Sequence, residues 1–427
     1  MRKSNDGFPK VMIVLLLTLM SMGCKDVNKK NILTSQEYMV LSWNDLGMHC
    51  LNPSYDQAVI LPPYNTIWAE VVKRGDPPTR VTQGITITYR IKNNTSSYDK
   101  PEYGGFWDNA EALFGASLSN DTGLNLKNPD QHNGLEGEMA LFDDHFEAVG
   151  IPLVPVSDDG KWNPYQVAVI TVKNASGKTL AQTEAMVPTS DEINCAKCHG
   201  DNPFENIMER HDEDNGTNLA EITPFVCAKC HGSPALGRNE KGEAGLFLSE
   251  AVHGFHANEG AACYDCHPGK KTQCSRSLAH TADDGNCTTC HGGMDKVASS
   301  ISDDGRTPWD GEPKCAKCHD DVGDVDTGDT LYRNAKGHGG LSCPACHGSP
   351  HAQVPSREAP DNHQAEQYQS VSLPMGSCRV CHKTSHGGGS DFGEKHEGKS
   401  PDEKTACNVC HTAAHDEKSK WPHKFEL

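Results

Sequence analysis

The chain has 427 residues, enough for two or three domains, and carries 58 acidic against 39 basic residues, a formal net charge of −19. That balance argues against nucleic acid or an anionic lipid surface as partner, and for a cationic one. Only 36% of residues are hydrophobic and 6% aromatic, little for a large self-sufficient core, yet there are 19 Cys and 22 His. Disorder would explain the low hydrophobicity but not that accumulation, so something other than side chains is expected to fill part of the interior.

At the N-terminus Arg2, Lys3 and Lys10 precede the apolar run "VMIVLLLTLM", Val11–Met20, which is too short to span a bilayer. "SMGC" then ends at Cys24, a basic–apolar–small order that reads as a secretory signal over residues 1–24. A Cys after Gly23 resembles the bacterial lipoprotein box, in which that Cys is lipidated, although Ser21 departs from the usual Leu. Lipidation of Cys24, plain cleavage and an uncleaved anchor stay open, and each predicts export to the periplasm, the outer membrane or the cell surface. Residues 25–34, "KDVNKKNILT", read as a polar tether.

Residues 35–190 hold few cysteines and have a strand-like texture. "GITITYRIKN" alternates Ile85, Ile87, Tyr89 and Ile91 with polar residues, the pattern of a half-buried strand. "YQVAVITVKNASGKTLAQTEAMV" predicts two strands joined at Asn174–Gly177, and "TIWAEVVKR" a third. A small antiparallel β-sandwich-like domain is expected. Within it "WNDLGMHC", Trp43–Cys50, gathers Asp45, Met48, His49 and Cys50, with only His132 and His145 as further histidines in the domain. Three readings stay open: a β-domain edge with a buried thiol, His49 or His145 reaching over to serve as the second ligand of the first site in the chain that follows, or a separate copper or zinc site.

From Cys195 the texture changes. Strand signals nearly vanish, Gly, Asp, Lys, Cys and His dominate, and short helical pieces such as "GLFLSEAVHGFHA" appear. C-x-x-C-H occurs eight times at intervals of 24 to 36 residues. The cysteine pairs are Cys195/Cys198, Cys227/Cys230, Cys263/Cys266, Cys287/Cys290, Cys315/Cys318, Cys343/Cys346, Cys378/Cys381 and Cys407/Cys410. The following histidines are His199, His231, His267, His291, His319, His347, His382 and His411. Shuffling this composition would give roughly 0.04 matches.

The spacing is the attachment signature of c-type haem. Two thiols on one turn reach two vinyl groups of one porphyrin, and the adjacent imidazole meets the iron from the same side. Paired C-x-x-C units would satisfy structural zinc without the eight fixed histidines, and disulfides need none. Eight haem c groups are therefore expected, wrapped by residues 195–427 at about 29 residues each, too few to bury much without them. A loop-rich domain with short helices and little sheet, unfolded without haem, follows.

Each iron needs a second axial ligand, His or Met, and this region has only three Met. Eleven histidines lie outside the motifs. The first group is His211, His253, His256, His280, His338, His351, His386 and His415; His363, His396 and His423 form a second. His253 and His256 share a helix face ahead of Cys263. His351, His386 and His415 each follow a motif histidine by four residues. On a helix such a residue cannot reach the far side of its own haem, but it can reach a neighbour's. Besides Cys24, two cysteines lie outside the motifs, Cys50 and Cys274, and a disulfide between them stays open.

With these motifs, and with "VHGFH" at 252–256 and "CHPGKKTQCSRSLAH" at 266–280, residues 195–427 resemble the exported, often lipid-anchored multihaem c-type cytochromes of metal-reducing bacteria. The resemblance implies low-potential bis-histidine haems in a stacked chain. It also implies electron exchange with redox proteins, minerals or other extracellular acceptors, and it leaves end-to-end self-association open. Octahaem reductases of small nitrogen or sulfur oxyanions are the alternative. Several of those carry C-x-x-C-K at the catalytic haem, a motif absent here. An electron carrier is the reading favoured over an enzyme, with no catalytic residue assigned.

Overall fold

The computed structural model describes residues 36–269, 271–278, 280, 287–311, 313 and 330–383. Two five-stranded sheets organise the first half. The strands are β1 (Tyr38–Asn44), β2 (His49–Cys50), β3 (Ala58–Val59), β4 (Asn65–Lys73), β5 (Thr79–Arg80), β6 (Ile85–Ile91), β7 (Glu136–Glu138), β8 (Ala140–Phe142), β9 (His145–Ile151), β10 (Tyr165–Asn174), β11 (Thr179–Ser190) and β12 (Phe225–Val226). One sheet runs β1-β4-β9-β8 with β5 on β4; the other runs β2-β11-β10-β6-β7. The predicted strands at 85–91 and 165–190 form as expected, with the β10–β11 turn at Asn174–Gly177. Their inward residues, among them Ile87, Tyr89, Ile91, Ala168, Ile170 and Val172, meet Val40, Ile67, Ala69, Val71 and Ala148 of the opposite sheet in one apolar core. The first half is thus a strand-rich sandwich, not purely β as expected: it also carries one ten-residue helix, Gly105–Phe114, whose Phe106, Trp107 and Leu113 are buried in a second apolar cluster; a loop-rich segment follows.

β4 departs from the alternating pattern: eight of its nine residues are buried, so both of its faces are covered. The motif-bearing segment does the covering. Glu70, 1% exposed on β4, accepts from the Ser342 amide (3.2 Å) and hydroxyl (2.8 Å) and pairs with Lys336 at 3.3 Å. The free edge of β1 is capped by the helix His363–Gln369. The Tyr368 hydroxyl donates to the Val40 carbonyl at 2.8 Å and receives the Val40 amide at 3.3 Å; the Gln364 amide group receives the Ser42 amide at 2.8 Å and donates back to its carbonyl. On the same helix Gln367 accepts from Thr183 of β11. Side chains thereby satisfy an edge that would otherwise be open to pairing with another chain.

Beyond Ser190 the described chain holds one two-residue strand, β12, which pairs in parallel with β3; the rest is short α- and 3-10 helices and loops. Arg276, fully buried, ties this segment together. Its Nε and Nη2 meet the Asp361 carboxylate at 2.8 and 3.2 Å, and Nη1 donates to the Gly47 carbonyl at 2.8 Å. Arg276→Ala leaves Asp361 buried without its cation. It is expected to cost about 3–5 kcal/mol, read as a fall in the thermal midpoint of the haem-loaded protein.

Candidate haem-ligand site

Every described C-x-x-C-H motif closes as a single helical turn. The His199, His231, His267 and His382 amides donate to the carbonyls of Cys195, Cys227, Cys263 and Cys378 at 2.8–3.1 Å. The motifs at Cys287 and Cys343 are five-residue helices, Cys287–His291 and Cys343–His347. Two thiols and an imidazole on one turn is the local geometry that covalent haem attachment requires.

The two thiols of a motif, equivalent by spacing, are not always placed alike. Cys195, Cys227 and Cys287, first in their motifs, are half-buried, and so are both cysteines of the motifs at Cys263, Cys343 and Cys378. Cys198 and Cys290, second in theirs, are exposed instead, while Cys230 is half-buried like its partner Cys227. The Cys198 and Cys230 amides close the turn onto the Cys195 and Cys227 carbonyls at 3.1 and 3.3 Å, and Cys290 lies within the helix Cys287–His291. Beyond that turn, the surroundings of Cys198, Cys230 and Cys290 do not single them out as attachment points, so their assignment as thioether residues rests on the spacing. The physical reason is that the cover expected over an attached thiol is the edge of the porphyrin, not protein.

The decisive feature is long-range. Five motif histidines each face one histidine from outside the motifs: His199 with His256, His231 with His211, His267 with His253, His291 with His351, and His382 with His338. Their ring centroids are 6.1 to 6.3 Å apart. An iron bound by two imidazole nitrogens at about 2 Å, with ~1 Å more from each nitrogen to its ring centre, places the centres roughly 6 Å apart. Every described histidine–histidine contact joins one motif residue to one non-motif residue. Zinc needs three or four ligands on one point; these histidines meet in twos.

The opposite ring nitrogens explain the orientation. Nδ1 of His253 donates to the Ser249 carbonyl (2.7 Å) and Nδ1 of His256 to the Val252 carbonyl (2.8 Å), each one turn back on the helix Leu248–His256. His199 Nδ1 meets Asn206 Oδ1 at 3.0 Å and His211 Nδ1 meets Thr217 Oγ1 at 2.9 Å. His351 Nδ1 donates to the Leu46 carbonyl at 3.4 Å, and His382 Nδ1 lies 3.3 Å from Asp76 Oδ1. Tying Nδ1 leaves Nε2 for the metal and fixes the ring plane. Burial also holds the half-buried His231 and His253 below the ordinary imidazole range. They are therefore neutral, the form that binds iron. Around the pairs, Val252, Phe255 and Leu278 stay exposed, Phe255 by 67%, which suits side chains that a porphyrin would cover.

Five of the histidines expected as second ligands, His211, His253, His256, His338 and His351, each lie ring to ring with a motif histidine. His253 and His256 share a helix as expected but serve different motifs, those at Cys263 and Cys195. His351, four residues beyond His347, reaches His291 of another motif, as its spacing predicts. His280 sits exposed at a turn. His363 opens the helix that caps β1 and is not among the pairs. The motifs at Cys315 and Cys407 (with Cys318, His319, Cys410 and His411), His386, His396, His415, His423 and Cys24 lie outside the described residues.

The β-sandwich histidines His49 and His145 are not among the histidine pairs of the described residues. His49 is buried with Nε2 bound to Asp45 Oδ1 at 2.8 Å, and His145 packs on Trp68, ring centroids 4.6 Å apart. No three His, Cys, Asp or Glu side chains converge on a metal position among the described residues, so the separate copper or zinc site at Trp43–Cys50 does not form. Cys50 and Cys274 are free thiols, and the disulfide left open between them is not present. What the sequence hid is the sandwich's contribution to the ligand shell. Arg74 donates to the Arg379 carbonyl (2.8 Å), the Gly75 amide to the Cys381 carbonyl (3.3 Å), and Asp76 orients His382.

Residues 255–327, which contain the motifs at Cys263, Cys287 and Cys315, match the model of the cytochrome c3 family. No curated protein and no solved structure matches the chain. The family match, the turn geometry and the histidine pairs together support a multihaem c-type cytochrome that transfers electrons.

Asp76 gives a direct test of the ligand shell. A carboxylate on Nδ1 makes His382 a stronger donor and stabilises the ferric state. Asp76→Asn is expected to raise the midpoint potential of one haem by about 40–60 mV, the equivalent of 1–1.5 kcal/mol for a one-electron couple. Spectro-electrochemical titration resolves that haem from the others.

Proposed function

We propose that this protein carries electrons along a chain of eight covalently bound bis-histidine haems and transforms no substrate. The observation that carries the reading is the closed pairing of five motif histidines, each with a second imidazole at ligand distance. A bound haem supplies a one-electron ferric/ferrous couple. The paired histidines would hold each iron from two sides and leave no position for a substrate. A reductase must leave one position open for substrate.

Shared peptide explains how haems would be brought into sequence. The helix Leu248–His256 supplies second ligands to the motifs at Cys195 and Cys263. The loop after the motif at Cys343 supplies one to the motif at Cys287. Each such crossing pins two haems to one short element, which favours short electron hops. The acidic surface suits a basic redox protein or a positively charged mineral face.

Three measurements on the full chain test this. A pyridine haemochrome assay against protein concentration is expected to give eight haems per chain, and a value near four would overturn the count. The reduced protein should be low-spin and bind almost no carbon monoxide. One stoichiometric high-spin haem that binds carbon monoxide would replace the carrier reading with a reductase of small nitrogen or sulfur oxyanions.

Export and an N-terminal lipid anchor belong to the same proposal, resting on the basic–apolar–Cys24 order of the first 24 residues. No described helix is long and apolar enough to cross a membrane. Cys24→Ala is expected to move the protein from the membrane fraction to the soluble fraction; unchanged association would point to a different anchor.

A further inference from the structure

The stretch Trp43–Cys50 gathers no cluster of three metal-ligating side chains among the described residues, yet its turn is held by a dense set of hydrogen bonds. Asn44, fully buried, uses Oδ1 to accept from the Leu46 amide (3.2 Å) and the Gly47 amide (2.6 Å). Its Nδ2 donates to Asn65 Oδ1 (2.7 Å) and the Thr66 carbonyl (2.9 Å). The turn at 44–47 is thereby fixed to β4. Its other side faces Ser349, Pro350 and His351. The Asn44 amide donates to Ser349 Oγ at 3.1 Å, and His351 Nδ1 donates to the Leu46 carbonyl at 3.4 Å.

We propose that this turn is the positioning element for His351, the second imidazole opposite His291, and that Gly47 is the residue on which it depends. The inference rests on the reading of His291 and His351 as an axial pair. Gly47 has φ +77, and a Cβ there would stand 1.7 Å from the Pro350 carbonyl oxygen, the residue before His351. Only glycine lets the two backbones approach so closely. His351 itself has φ +60, a left-handed conformation costly for a residue with a side chain, so surrounding contacts must hold it. They do so from two sides. The Leu46 carbonyl takes Nδ1, while the Arg276 and Ser277 amides donate to the His351 carbonyl at 2.6 and 3.1 Å. Arg276 Nη1 closes the ring by donating to the Gly47 carbonyl at 2.8 Å. A histidine only four residues from His347 is in this way turned away from its own motif and aimed at His291.

The test compares Gly47→Ala with Gly84→Ala in the haem-loaded chain. Gly84 has φ +71 and open space around its Cβ position, so it carries the same backbone strain without the clash. Gly47→Ala is expected to convert one haem per chain to high spin and to bind one equivalent of carbon monoxide, with haem content unchanged; Gly84→Ala should do neither. His351→Ala should give the same single open haem, and the double variant no second one. If Gly47→Ala keeps its haems and remains wholly low-spin, the proposal is overturned. If His351→Ala also remains low-spin, the axial assignment fails instead. Should Gly47→Ala lose haem altogether, Ser349→Ala decides: it removes only the hydroxyl tying the loop to Asn44, and a shifted potential at a single haem supports the role, while no shift at any haem overturns it.

Discussion

Two imidazoles facing each other across one iron-sized gap are the constraint from which the second half of this structure follows. A chain segment this poor in apolar residues cannot hold a fold by hydrophobic burial alone. Instead, each pair fixes two distant points of the chain at a set separation. The helices that carry the motifs can be as short as the turn itself, as at Cys263–Cys266, Cys287–His291 and Cys343–His347, while His211, His253 and His256 stand on the longer helices Pro203–Asn215 and Leu248–His256. On His253, His256, His351 and His382 the second ring nitrogen would let the protein tune a bound metal, through carbonyls at Ser249, Val252 and Leu46 and a carboxylate at Asp76.

The sandwich is the fixed frame for these turns. β1 and β4 are buried on both sides because the motif-bearing loops lie against them, and the contacts are specific. Glu70 holds Ser342 immediately before the motif at Cys343. The loop 74–76 cradles the motif at Cys378, and the turn 44–47 seats the loop that carries His351. Buried polar groups so used must be matched, and Glu70, Arg276 and Asn44 each have several partners within hydrogen-bond reach. Such junctions exclude the sliding that would misalign a ring by an ångström. The sandwich has no described metal cluster of its own; its role in the ligand sites is to hold other residues' imidazoles still.

Spacing made the motif residues legible, because haem attachment is local: two thiols and a histidine must share one turn. Alternation likewise marked β6, β10 and β11. The pairing of histidines was not legible, since it joins residues such as His291 and His351, or His338 and His382, across stretches no local rule spans. His253 and His256 show the limit well. Their three-residue spacing put them on one helix face, but only the fold reveals that they turn to different motifs. β4 looked like an ordinary strand because nothing in "TIWAEVVKR" announces which loop will cover its outer face. The stretch "WNDLGMHC" drew notice for its His and Cys, whereas the residues that matter to the neighbouring site are Asn44 and Gly47, whose backbone role leaves no chemical signature in a single sequence.

The organisation of residues 195–427 depends on these paired histidines being axial ligands. The most direct measurement is an experimental structure of the haem-loaded protein phased at the iron absorption edge. It should place an iron between each of His199 and His256, His231 and His211, His267 and His253, His291 and His351, and His382 and His338. Irons bound on the far side by methionine, water or other histidines at these positions would contradict it.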